Sequence, residues 1–128
     1  MINFIIVDDD RMIIKLIEDF ASKVNFLNYK GSYTSVVDAL NDNASEDIDL
    51  IFLDVELPEM SGIEYLKNFR KKPMIIMIST YPDYAVDAFE YEAVDFLLKP
   101  FVFSRFFRSV QKAVKMNKFL EMQFNEEE

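Results

Sequence analysis

The chain has 128 residues, 51% of them hydrophobic, with thirteen Phe, no Cys, no His and a net charge of −9. A chain of this length and apolar content forms one domain with a filled core rather than a disordered segment. The missing Cys and His exclude disulfides, thiolate or imidazole metal sites, Ser-His-Asp and Cys-His catalysis and a phosphohistidine, and the negative charge disfavours nucleic-acid binding by this segment.

Residues 2–7 form an apolar run that predicts a central strand covered on both faces. Over 11–24, Ile13, Ile17, Phe20 and Val24 recur at helical spacing. Residues 27–33 alternate Leu27, Tyr29, Gly31 and Tyr33 with polar partners, the pattern of an edge strand. A short helix follows over 34–43, with Val36, Val37 and Leu40 inward and Thr34 or Ser35 as cap. Residues 49–53 make the third strand. Pro58 and Gly62 punctuate the next loop, and a helix to about residue 70 buries Ile63, Leu66 and Phe69 before Lys71-Lys72-Pro73 ends it.

The fourth strand covers 74–78, and a helix over 83–92 turns Val86 and Phe89 inward. The fifth strand covers 94–98, and a last helix runs over 103–118. The domain is expected to span 1–118, with 119–128 an acidic tail or the start of a linker. Strands and helices alternating five times imply an α/β fold: a five-stranded parallel, doubly wound, flavodoxin-like (β/α)5 sheet. The edge character of the second strand favours order 2-1-3-4-5. The order reverses between strands one and three, so a crevice opens between Asp8–Asp10 and Asp54. No apolar run reaches the roughly 18 residues of a membrane span, and the first residues lack a basic leader, so the protein is expected to be cytoplasmic.

Four apolar runs stop at polar residues on one sheet edge: Asp8-Asp9-Asp10, Asp54, Ser79-Thr80 and Lys99-Pro100. Carboxylates about 4 Å apart repel by about 4 kcal/mol at an effective dielectric near 20, which a raised pKa or a bound cation relieves. Oxygen ligands alone select Mg²⁺, or Mn²⁺, held by Asp8, Asp9 and Asp54. Asp10 is read either as part of this cluster or as a helix N-cap. Asp54, alone at its strand end, is the candidate nucleophile for an aspartyl phosphate. Lys99 is placed to reach one phosphoryl oxygen, and a hydroxyl of Ser79 or Thr80 another. With Gly31 and Gly62 the only glycines, no Gly-rich loop exists to cradle a nucleoside triphosphate, so the donor is a small phosphodonor or a phosphorylated protein.

Val7-Asp8-Asp9-Asp10, the block Phe52-Leu53-Asp54-Val55-Glu56-Leu57-Pro58-Glu59-Met60-Ser61-Gly62, Ile78-Ser79-Thr80 and Leu98-Lys99-Pro100-Phe101 resemble, in order and spacing, the receiver domain of two-component response regulators. Tyr81-Pro82-Asp83-Tyr84-Ala85-Val86-Asp87-Ala88-Phe89 and Tyr91 through Phe101 are similar to LytTR-type (LytR/AlgR) transcription regulators, whose C-terminal DNA-binding domain this chain lacks. The resemblance implies that Asp54 accepts a phosphoryl group from a sensor histidine kinase or phosphotransfer protein. It implies that Asp9 ligates Mg²⁺ directly, Asp8 largely through water and Glu56 through its backbone carbonyl. It makes Lys99 the phosphoryl partner, joined to Pro100 by a cis peptide, Ser79 the switch hydroxyl and Phe96 the aromatic that swings inward. Thr80 stands where the family carries a small residue and adds bulk beside the phosphate. Glu56 and Tyr81 occupy positions that modulate dephosphorylation.

On the last helix Phe103, Phe106, Phe107, Val110, Ala113 and Val114 take one side and Arg105, Arg108, Lys112 and Lys115 the other, while Asp83, Asp87 and Glu90 share a face of the preceding helix. These faces read either as two solvated surfaces or as the patch of a phosphorylation-dependent homodimer. The chain is expected to act as a phosphoacceptor switch that promotes its own phosphorylation and dephosphorylation, not as an enzyme on an external substrate. The alternatives are a stand-alone receiver acting on a protein target, a pseudo-receiver that only binds, or a haloacid-dehalogenase-type phosphatase with Asp8 as nucleophile and Asp10 as acid/base.

Overall fold

In the computed structural model, residues 1–43, 47–68 and 73–127 are described. The strands are β1 (Ile2–Val7), β2 (Leu27–Tyr33), β3 (Leu50–Asp54), β4 (Met74–Ser79) and β5 (Asp95–Leu98). The helices are α1 (Arg11–Ala21), α2 (Val36–Asn43), α3 (Gly62–Asn68), α4 (Ala85–Glu90) and α5 (Phe103–Glu127), with a 3₁₀ turn at Pro82–Tyr84 before α4. All four strand pairs are parallel and the sheet order is β2-β1-β3-β4-β5, as the sequence pattern implies.

Side chains alternate across the sheet and so build two cores. Phe4, Ile6, Phe52, Ile76 and Leu97 pack under α1 and α5, with Phe20, Phe101 and Phe106 among them. The Phe52 ring stacks on Phe106 at 5.3 Å and meets Phe4 edge-on at 5.6 Å, which is where much of the aromatic content is spent. Ile5, Val7, Leu53, Met77 and Phe96 pack on the other face, under α2, α3 and α4. The β2 edge is half exposed and carries a register shift at Phe4/Ile5, where Gly31 takes φ +150°. Helix starts are closed by side chains: Asp10 Oδ1 accepts from Met12 N at 3.0 Å, Ser35 Oγ from Asp38 N and Ser61 Oγ from Glu64 N.

Several expectations are corrected. Helix α1 stops at Ala21, short of Val24, and buries Ile14 and Ile17 while Ile13 is only partly covered. Strand β3 begins at Leu50 and β5 at Asp95, each one residue late. Val86 and Phe89 face outward, 73% and 51% exposed; α4 instead sets Ala88 against Phe96 and the sheet, because a small side chain lets the helix lie close. Helix α5 continues past Lys118 to Glu127, so the acidic stretch is helical. Phe69, Arg70, Lys71 and Lys72 lie outside the described residues. Among the described residues no helix is long and apolar enough to cross a membrane.

Arg105 and Lys112 do not simply line a solvated face. Arg105 Nη1 and Nη2 grip the fully buried Asp95 carboxylate at 2.6 and 2.8 Å, Nη2 also donates to the Phe96 carbonyl at 2.9 Å, and Lys112 Nζ approaches Asp95 at 3.2 Å. Burial alone would raise the Asp95 pKa, but the Arg105 and Phe96 N–H hydrogen bonds outweigh it and hold the carboxyl below its usual value of 3.8. The ionised carboxylate therefore stabilises the fold above that value, and the contribution is lost as pH falls through the lower folded pKa. Replacing Asp95 by Asn should cost about 2 kcal/mol at pH 7, measured by urea unfolding, because a charge-assisted pair becomes a neutral one. The gap between the two proteins should close below pH 3.8; a gap unchanged at acid pH would show that the ion pair contributes nothing.

Candidate functional site

The C-terminal ends of β1, β3, β4 and β5 meet at one edge, and each contributes the polar residue that follows its apolar run. Carboxylate oxygens of Asp8, Asp9 and Asp54 lie within 4.8 Å of one another. Lys99 Nζ reaches into the cluster, 3.1 Å from Asp8 Oδ2 and 3.6 Å from Asp54 Oδ1. A cleft of about 240 Å³ opens above them, lined by Asp9, Asp10, Asp54, Glu56, Thr80 and Lys99. Asp8 and Asp54 are buried, and Asp9 and Glu56 are exposed.

Electrostatics follow from this crowding. Burial and then the Asp8 charge push the Asp54 carboxyl up to about 7, with Lys99 and the Glu56 N–H pulling the other way. Burial also raises Asp8, opposed by the Asp10 N–H, which donates to Asp8 Oδ1 at 2.8 Å, and by Lys99. For Lys99, burial disfavours the cation, yet Asp8 and Asp54 together raise its pKa. One amine thus faces two inward carboxylates. Asp8 Oδ2 is buried and, although Lys99 Nζ stands 3.1 Å away, it receives no well-angled hydrogen bond. An under-satisfied buried carboxylate oxygen beside two further acids, with no nitrogen or sulfur ligand, fits a hard divalent cation.

Asp10 Oδ1 caps α1 by accepting from Met12 N, the N-cap role that was one of its two readings, while the residue also lines the cleft. Thr80 lines the cleft, whereas Ser79 is fully buried and its Oγ accepts from Tyr81 N at 2.9 Å. Phe96 is buried against Ala88 and Met77, already inward, and Tyr81 is 53% exposed. The Lys99-Pro100 peptide is cis.

Sequence reasoning read Gly62 as loop punctuation and missed its contact with the site. Gly62 N donates to Val55 O at 2.8 Å, and a Cβ there would collide with the Asp54 carbonyl oxygen and lie 3.1 Å from Met77 Cε. The start of α3 thus rests on the backbone of the candidate nucleophile. The one available signal was a glycine opening a helix that follows a strand-end acid.

Residues 4–111 match the response regulator receiver domain family, and the chain belongs to it. Among curated relatives, the sensory transduction protein LytT of Bacillus anthracis is 30% identical over 118 residues, 90% of this chain and 48% of that protein. The transcriptional regulatory protein MalR of Bacillus subtilis is 35% identical over 83% of this chain and 47% of its own length, so the resemblance to LytT-type regulators holds while the chain spans about half the length of the curated relatives it matches. Among solved structures, the response regulatory domain of MrkE from Klebsiella pneumoniae superposes with a TM-score of 0.76 at 30% identity, covering 90% of this chain and 97% of that one.

Gly62→Ala should lower stability by about 2–3 kcal/mol in urea unfolding, the cost of overpacking against backbone that cannot yield. Because the displaced atoms belong to Asp54, Mg²⁺-dependent stabilisation of the variant should fall as well. An unchanged unfolding midpoint would remove Gly62 from the site.

Proposed function

We propose that this receiver domain takes a phosphoryl group onto Asp54 from a histidine kinase or phosphotransfer protein, with Mg²⁺ (Mn²⁺ as substitute) held by Asp8, Asp9, Asp54 and the Glu56 backbone carbonyl. The observation that carries this reading is the convergence of three carboxylates within 4.8 Å with Lys99 3.6 Å from Asp54. An Asp54 oxygen attacks phosphorus, the phosphorus–nitrogen bond of the donor phosphohistidine breaks, and the leaving imidazole keeps the bonding pair and takes a proton. When bound, the cation supplies positive charge that offsets the crowded carboxylates and the incoming phosphoryl oxygens. Lys99 stays where it is and pairs with a phosphoryl oxygen, exchanging one anionic partner for another. Thr80, at the cleft wall, adds bulk beside the phosphate. Ser79 acts as switch hydroxyl by releasing the Tyr81 N–H and turning toward the phosphoryl group, with Phe96 behind it. Glu56 and Tyr81, both exposed at the rim, govern the approach of water in dephosphorylation.

The output this switch controls is transcription, through a DNA-binding domain, with a stand-alone receiver acting on a protein target as the second reading, and the protein is cytoplasmic. Support for the first comes from regulators of twice the length, such as MalR and LytT. A phosphorylation-dependent homodimer through α4 and α5 would place Arg108 of one copy against Asp83, Asp87 and Glu90 of another; Lys112, engaged by Asp95, has less to give.

Incubation with acetyl phosphate should label the wild type only with Mg²⁺ present, and Asp54→Asn should remain unlabelled. Lys99→Ala should slow labelling about 10²-fold, as loss of one preorganised charge donor does. Label retained on Asp54→Asn would overturn the assignment. In sedimentation, Arg108→Glu should abolish any dimer formed on phosphorylation; an unaltered profile would exclude that patch.

A further inference from the structure

Helix α5 presents Met116, Phe119, Leu120 and Met122 to solvent, 41%, 53%, 48% and 63% exposed. The first three, at i, i+3 and i+4, flank a groove of about 620 Å³ whose other wall is Pro73, Met74 and Val94, at the N-terminal ends of β4 and β5. This is the end of the sheet opposite Asp54. The charge along α5 is sorted lengthwise: Arg105, Arg108, Lys112, Lys115 and Lys118 come first with no acid among them, and Glu121, Glu126 and Glu127 follow with no base. That order opposes the helix macrodipole, which favours acids at the start and bases at the end, so the sorting does not serve the isolated helix. It does serve a partner helix running the other way with the same sequence.

We propose that the C-terminal half of α5 pairs antiparallel with that of a second copy of this chain, about a two-fold axis near Phe119, each helix seating Phe119 and Leu120 toward the groove of the other. Such an isologous contact sets the basic half of each helix against the acidic half of its mate. A parallel pairing would stack like charges along the whole length. With only Met116, Phe119, Leu120 and Met122 of each helix to bury, the dimer is a weak one that dissociates at about 10–100 µM. It forms without a phosphoryl donor, and neither its formation nor its failure bears on Asp54.

Sedimentation equilibrium of the unphosphorylated chain at about 10–200 µM tests this. The wild type should show a reversible monomer–dimer equilibrium, and Leu120→Asp, a change at an exposed position, should weaken it at least about tenfold while leaving the circular dichroism spectrum unchanged. Because the chain has no native Cys, the direction is readable by disulfide trapping. A mixture of Lys115→Cys and Gln123→Cys chains should cross-link to each other faster than either does to itself. A monomer throughout the concentration range overturns the proposal and leaves the groove to a different protein segment; faster self-linking of Lys115→Cys overturns the antiparallel arrangement.

Discussion

Three carboxylates confined within 4.8 Å, two of them buried, set the terms for this molecule. At an effective dielectric near 20, each close pair is unfavourable by about 4 kcal/mol, a sizeable fraction of the 5–15 kcal/mol that keeps a domain folded. The cluster persists because nothing around it can give way. Asp8 directly follows β1 and Asp54 ends β3, both strands buried on both faces, the Asp10 N–H holds one Asp8 oxygen, and Gly62 lets α3 rest on the Asp54 backbone. Lys99 compensates in part, yet burial and then the Asp8 charge still push the Asp54 carboxyl up to about 7. Three acids facing a single amine leave a site that favours further positive charge.

The same edge is tied to the outer surface through β4 and β5. Lys99 N donates to Ser79 O at 2.8 Å, so the candidate switch hydroxyl and the amine share one piece of ladder. Three residues before Lys99 lies Phe96, whose carbonyl is held by Arg105 from α5. The chain from Asp54 to α5 therefore runs through short hydrogen bonds and packed side chains, with no loose segment between them.

The buried strands were legible in the sequence because they are apolar runs that end abruptly, and Asp8, Asp54 and Lys99 stood out as the first polar residue after such a run, with Asp9 directly behind Asp8. What periodicity could not supply were contacts between elements. Gly62 looks like any loop glycine until the Asp54 carbonyl is seen beneath it. Asp95 looks like a strand-flanking acid until Arg105, ten residues on, closes over it. The acidic composition after Lys118 masked the helical spacing of Met116, Phe119 and Leu120. In α4 the larger apolar residues drew the inward assignment, although the sheet accepts Ala88.

That last misreading points to how the domain can move. A helix that inserts only small side chains, Ala88 fully and Ala85 in part, and leaves Val86 and Phe89 in solvent, gains little from burial. Six residues is also too short for the backbone to hold itself helical. By contrast, α5 is anchored by Phe106, Val110 and the Asp95 ion pair, and α1 by Ile14 and Ile17. Local opening is cheapest where buried contacts are fewest, which here means α4 and the Pro82–Tyr84 turn next to Ser79 and Thr80. A change of charge at Asp54 meets, one strand away, the element least committed to its position, and the exposed Val86 and Phe89 ride on it.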